Sequence, residues 1–173
     1  MDEAATAKKA EIDKTPNATD EEKAKAKAKV DEAVTKAKGQ IDQATNNQGV
    51  DEAKIQGIES INQVQPTVVK KDEAKRAIDT AATTKKAEID KNSTLTDEEK
   101  QAFKKEVDRL VDEAKQQINQ NTINQMVETS KNNGIDSINH LNILGNVKDN
   151  AIKHLLEVAQ KQKELIDQNK DAT

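Results

Sequence analysis

The chain has 173 residues, 33% apolar and 35% charged, with a net charge of −4 and a single aromatic residue, Phe103. Without Cys, no disulfide framework, thiolate chemistry or zinc knuckle is available. The near-balanced charge gives no steering field for nucleic acid or anionic membrane, and no apolar run approaches the ~20 residues of a membrane span.

A 77-residue period organises everything else. Lys8-Lys9-Ala10-Glu11-Ile12-Asp13-Lys14 recurs as Lys85-Lys86-Ala87-Glu88-Ile89-Asp90-Lys91, and Thr19-Asp20-Glu21-Glu22-Lys23 as Thr96-Asp97-Glu98-Glu99-Lys100. A gapless period of this length marks a tandem array. Three helical segments are read in each period.

The first segment occurs three times: cut short to Lys14 at the start, complete from about Val69 to Lys91, and again from about Val147 to Gln168. Its apolar stripe is Ala74, Ile78, Ala81, Ala82 and Ile89, matched by Ala151, Leu155, Val158, Ala159 and Ile166. A Thr15-Pro16-Asn17-Ala18 turn leads to the second segment.

The second segment opens on a capping box, Thr19 with Glu22 and Thr96 with Glu99, in which each side chain satisfies a free backbone N–H of the other residue. The acidic first turn also complements the helix dipole. Ala26, Val30, Ala33, Val34, Ala37 and Ile41 then recur at spacings of three and four, as do Phe103, Val107, Leu110, Val111, Ala114 and Ile118.

The third segment follows polar linkers (45–49 and 121–125) and carries Val50, Ala53, Gly57, Ile61 and Val64, echoed by Val127, Ser130, Gly134, Ile138 and Leu141. Mid-helix Gly costs ~1 kcal/mol relative to Ala, so close approach of a neighbouring helix is the expected reason for Gly57 and Gly134. A local break is the alternative, more plausible at Asn132-Asn133-Gly134. Pro66 disfavours helix in the residue before it and separates third from first segment.

No such helix buries its stripe alone, but three antiparallel ones share a seam. The predicted fold class is all-α: tandem three-helix bundles in an elongated, semi-rigid rod. The expected domains are 1–68 (first helix truncated), 69–146, and 147–173 as the first helix of a third repeat. The Met in mid-pattern suggests a fragment of a longer chain, with any export signal outside it.

No catalytic, cofactor-binding or metal-binding residues are predicted, and no enzyme. His140 and His154 align with Gln63 and Ala77 and lack a Cys or second His at ligand spacing. The carboxylates sit at helix starts and on polar faces, without the apolar pocket that a raised-pKa acid needs. Ser60, Ser93, Ser130 and Ser137 lie in no nucleophile elbow, and there is no phosphate loop. Asn17-Ala18-Thr19 and Asn92-Ser93-Thr94 match the glycosylation acceptor pattern, but turn chemistry is the simpler reading. The lysine run 23–29 lacks aromatic stacking partners and is followed by acids, Asp31 and Glu32.

The assembled residues resemble a known repeat. They are Ala10-Glu11-Ile12-Asp13, 16–23, Val30-Asp31-Glu32-Ala33-Val34, 41–45, Val50-Asp51-Glu52-Ala53-Lys54, Gly57-Ile58 and 61–66. Together they are similar to the tandem "domain of unknown function" helical repeat of staphylococcal cell-wall-anchored surface proteins, SasC- and FmtB-like and related to Ebh modules. The second copy departs at Ser93-Thr94-Leu95 and Leu141-Asn142-Ile143. The resemblance covers the whole chain and implies an extracellular stalk, anchored to the cell wall by a sorting signal elsewhere and associated with cell accumulation and biofilm. It supplies no catalytic residue and no cofactor.

Two functions follow as expectations. The repeats act as a spacer projecting a distal adhesive region, with neighbouring repeats as partners. Alternatively they adhere weakly and multivalently, to identical repeats on other cells or to host matrix protein. A disordered desiccation protectant is a third reading, opposed by caps and stripes kept in register across copies. Neither nucleic-acid binding nor membrane insertion is expected.

Overall fold

The structure, a computed structural model, describes residues Met1–Gln168. Among them are seven helices and no strand: α1 (Asp2–Asp13), α2 (Asp20–Gln43), α3 (Asn47–Asn62), α4 (Lys70–Lys91), α5 (Asp97–Gln120), α6 (Asn124–Asn139) and α7 (Val147–Gln168). The all-α expectation holds. The described residues divide into two compact units, Met1–Ala77 with Ala114–Asn133, and Ile78–Glu113 with 134–168.

In the first unit α1, α2 and α3 each contact the other two. Lys9 pairs with Asp31, Lys27 with Asp13 and Lys38 with Asp2. Low numbers in α1 meet high numbers in α2, so the two helices are antiparallel. Ala5 and Ile12 of α1, Ala26 and Val30 of α2 and Ile61 of α3 form the core, with Met1, Ala33, Val34 and Val64 packed around it. Such small side chains allow close helix approach, and Gly57 shows how close. A Cβ built there would lie 2.4 Å from the Ala37 Cβ and 3.1 Å from the Met1 Sδ. Close approach is therefore the reason for this glycine. Its counterpart Gly134 is also buried, and α6 runs unbroken through Asn132-Asn133-Gly134, so no local break exists there.

The first unit also holds the start of α4, the end of α5 and the start of α6, where Ala74, Ile118 and Val127 are buried. The buried Lys71 donates its Nζ to the Asn119 carbonyl at 2.8 Å, so a charged head satisfies an acceptor at the end of α5.

In the second unit Ile78, Ala82 and Ile89 of α4, Val107 and Val111 of α5 and Ile138 of α6 are buried, as is Leu95 in the connector. Lys86 pairs with Asp108 and Lys104 with Asp90, one period after Lys9–Asp31 and Lys27–Asp13. Lys85 donates to the Asn139 carbonyl at 2.9 Å, closing the end of α6. Phe103 is only half-buried, so aliphatic residues form this core as well. α7 differs: none of its residues is buried.

Candidate functional site

The sequence pattern that recurs most completely is the capping box, and there the structure holds more than sequence reasoning found. Thr19 precedes α2 in extended backbone, and its side chain accepts the Glu22 N–H at 3.3 Å. In return Glu22 Oε2 accepts the Thr19 N–H at 2.9 Å. The other oxygen, Oε1, turns outward and accepts the N–H groups of Val69 and Lys70 at 2.8 and 2.9 Å. These belong to the unsatisfied first turn of α4. One carboxylate thus caps two helix starts.

The second copy repeats the arrangement atom for atom. Glu99 Oε2 accepts from Thr96 N at 2.9 Å, and Oε1 from Asn146 N and Val147 N at 3.0 and 3.3 Å, at the start of α7. Lys148 adds a bond to the Ser93 carbonyl at 2.7 Å. Gly145 lies so close to the connector that a Cβ there would fall 2.8 Å from the Thr94 carbonyl oxygen.

In the first unit a third helix start joins the cluster. Glu21 accepts the Asn124 N–H of α6 through both oxygens, at 3.0 and 3.1 Å, and Asp20 N donates to the Thr122 carbonyl at 2.7 Å. Three positive helix ends therefore face adjacent carboxylates, the arrangement that helix dipoles favour. Burial pushes the Glu22 carboxyl up, but the N–H groups of Val69, Thr19 and Lys70 outweigh it and hold it below the usual carboxylate range. The Thr96 and Asn146 N–H groups do the same for Glu99. Nearby Glu128 lies between Lys131 and Lys70, which hold it down to about 2. Lys71 is lowered by burial first, then by Lys75 and Lys23.

A cavity of about 280 Å³ opens beside this joint, lined by Glu21, Glu22, Lys25, Lys29, Lys70 and Asn124 among others. Acids and lysines alternate around it, so it selects no sign of charge. The depressed carboxyls are poor general acids at neutral pH, because each is ionised there and carries no proton to give. The chemistry of the joint is helix capping.

The other residues singled out by sequence fall elsewhere. His140 is exposed with its Nδ1 2.9 Å from the Asp136 carbonyl, and His154 is exposed on α7. Among the described residues no group of His, Cys, Asp or Glu is arranged to hold a metal ion, and no helix is long and apolar enough to cross a membrane. Asn17 has φ 62°, and the Asn92 side chain accepts from Thr94 N and Oγ1 at 3.0 and 2.7 Å, so both acceptor-like triplets serve as turns. Sequence reasoning found the capping boxes but missed the second duty of Glu22 and Glu99. Their partners lie 47 and 48 residues downstream, and no local pattern marks them.

This twofold joint with its period agrees with comparison to known proteins. Residues 1–69 and 70–144 each match the family described as Domain of Unknown Function (DUF1542). The chain belongs to this family. It is also similar to the "Extracellular matrix-binding protein EbhA" of Staphylococcus aureus strain Mu3, at 28% identity over 163 residues. The "Extracellular matrix-binding protein ebh" of strain MW2 is 27% identical over the same length. Each match covers 94% of this chain and 2% of the relative, so the chain spans a small fraction of the curated relatives it matches. No solved structure matches it.

Proposed function

We propose that the chain is a spacer segment of a bacterial cell-surface adhesin, its repeats at 1–68 and 69–146 and the opening helix of a third at 147–173 holding a distal binding region away from the cell wall. The observation that carries this reading is the shared carboxylate. Glu22 and Glu99 each tie the second helix of one repeat to the first helix of the next with the same hydrogen bonds. A joint remade identically in each copy suits a molecule whose job is to continue. The sparse aromatic content also removes the anchors that dominate tight interfaces. On this reading the parent protein is extracellular and wall-anchored and supports cell accumulation.

A second reading is favoured by the names of the relatives, which are extracellular matrix-binding proteins. Here the repeats themselves adhere, weakly and through many copies, to host matrix protein or to one another. Beads coated with the purified chain separate the two. A spacer leaves them dispersed, with or without matrix protein. Clumping that disappears in a variant with scrambled surface residues would refute the spacer reading.

A further inference from the structure

The first helices of the three repeats have identical register but different surroundings. At equivalent positions Ile12, Ile89 and Ile166 are 1%, 0% and 55% exposed, and Ile78 and Leu155 are 0% and 67% exposed. α1 and α4 are each covered by helices that follow them on the same polypeptide. α7 keeps the same seam, Ala151, Leu155, Val158, Ala159 and Ile166, with nothing against it among the described residues.

The apolar face of α7 is also wider. Val147, Ile152, Leu156 and Leu165 stand where α4 carries Lys70, Lys75, Asp79 and Glu88. Its apolar arc spans roughly 180°, against roughly 100° on α4, at 3.6 residues per turn. All four of these residues are exposed. Not every flanking charge has been lost. Lys163 and Asp167 replace Lys86 and Asp90, whose partners on α5 are Asp108 and Lys104. By contrast Lys70 pairs with Glu128 of α6 at 2.8 Å, and its counterpart Val147 sets a methyl face against an acid at that place, which then keeps only the Lys131 position as a partner.

We infer that this face is the docking surface for an antiparallel helix pair of the α5/α6 type, supplied by a following repeat on the same polypeptide. That pair keeps the Lys104 and Asp108 positions and is apolar where α6 has Glu128. The inference rests on the array reading above and adds a preference to it: the pair that fits α4 is not the best fit for α7. A longer polypeptide is also what relatives of which this chain spans 2% have. Association with a second copy through α7 is the competing outcome of the test.

The test keeps the full chain and lengthens it. Thr173 falls one period after Thr96, so a second copy of residues 97–144 joined after Thr173 continues the pattern without a gap. Two extended chains are made, one with the copied segment unchanged and one with Glu128→Leu in the copied segment only. Hydrogen–deuterium exchange of residues 147–168 is read against residues 78–91 of the same molecule, with sedimentation to report association. In the unextended chain α7 should exchange at least tenfold faster than α4. The Glu128→Leu extension should slow α7 at least tenfold, and the unchanged extension less. Leu155→Asp in the extended chain should restore fast exchange in α7 without changing α4. Unaltered exchange in both extended chains would overturn the docking surface, as would protection and dimerisation of α7 in the unextended chain. Equal slowing by both extensions would overturn the preference at Val147 and leave the array reading standing. The bead result depends on none of these outcomes.

Discussion

Gly57→Ala and Gly39→Ala make the same chemical change in two helices, and the structure assigns them opposite signs. Each replacement gains about 0.5–1 kcal/mol of helix propensity. At Gly39 a Cβ meets nothing within 4 Å, so that gain stands alone. At Gly57 the new Cβ lies 2.4 Å from the Ala37 Cβ, where carbon atoms prefer about 3.5–4.0 Å. Ala37 is 1% exposed and has no rotamer to change, so α2 and α3 must part by about 1 Å. Overpacking of this kind costs about 1–3 kcal/mol, and a rigid neighbour places it near the upper end. The net expectation is a loss of about 1–2 kcal/mol for Gly57→Ala and a gain of about 0.5–1 kcal/mol for Gly39→Ala. Urea unfolding followed by circular dichroism reads both, and adding Ala37→Gly to Gly57→Ala should restore the helix spacing. If Gly57→Ala shifts the midpoint upward as Gly39→Ala does, the close approach of α2 and α3 is wrong.

Other expectations concern the joint and the core. Glu99→Ala removes the acceptor for Asn146 N and Val147 N, so NMR amide signals at the start of α7 should lose protection while those of α5 beyond its first turn keep theirs. The depressed carboxyls of Glu22, Glu99 and Glu128 contribute stability that is complete above the ordinary value of 4.5 and is lost as pH falls through their folded values. For Glu128 that window runs from 4.5 to about 2, so the melting temperature should fall across it and Glu128→Gln should flatten the fall. A melting temperature constant over that range would contradict the assignment. Ile89→Ala should cost about 2–5 kcal/mol and the equivalent Ile166→Ala less than about 0.5 kcal/mol, which paired thermal melts resolve. Phe103→Ala should cost about 1–2 kcal/mol, below the ~3–5 kcal/mol of a fully buried ring, and a larger loss in denaturant titration would place the ring in the core.

Much of this architecture was legible because the copies could be read against each other. Thr19–Glu22 and Thr96–Glu99 announced the start of the second helix twice, and the stripe behind each cap marked the inward face, though Ile41, Phe103 and Leu110 on it are only half-buried. Val30, Val107 and Ile118 lie where that stripe puts them. Two features escaped. The buried Lys8, Lys71 and Lys85 occupy seam positions that a hydrophobicity pattern scores as polar. Lys71 and Lys85 bury their stems and deliver their ammonium groups to carbonyls at the ends of α5 and α6, a pairing set by tertiary position. The outward oxygen of Glu22 finds Val69 and Lys70 only after α3 has folded back, so nothing near position 22 reveals it.

Because Glu22 meets residues 69 and 70, and Glu99 meets 146 and 147, the shared-carboxylate link of each joint is written within a single stretch shorter than one period. A genetic exchange between misaligned copies, if it keeps the period, therefore delivers both halves of every such link together. Such an array can gain or lose whole units between generations without passing through a form whose helix ends lack their acid. An insertion of one residue between Glu22 and Val69 has no such protection, so length should drift in complete steps and not by single residues.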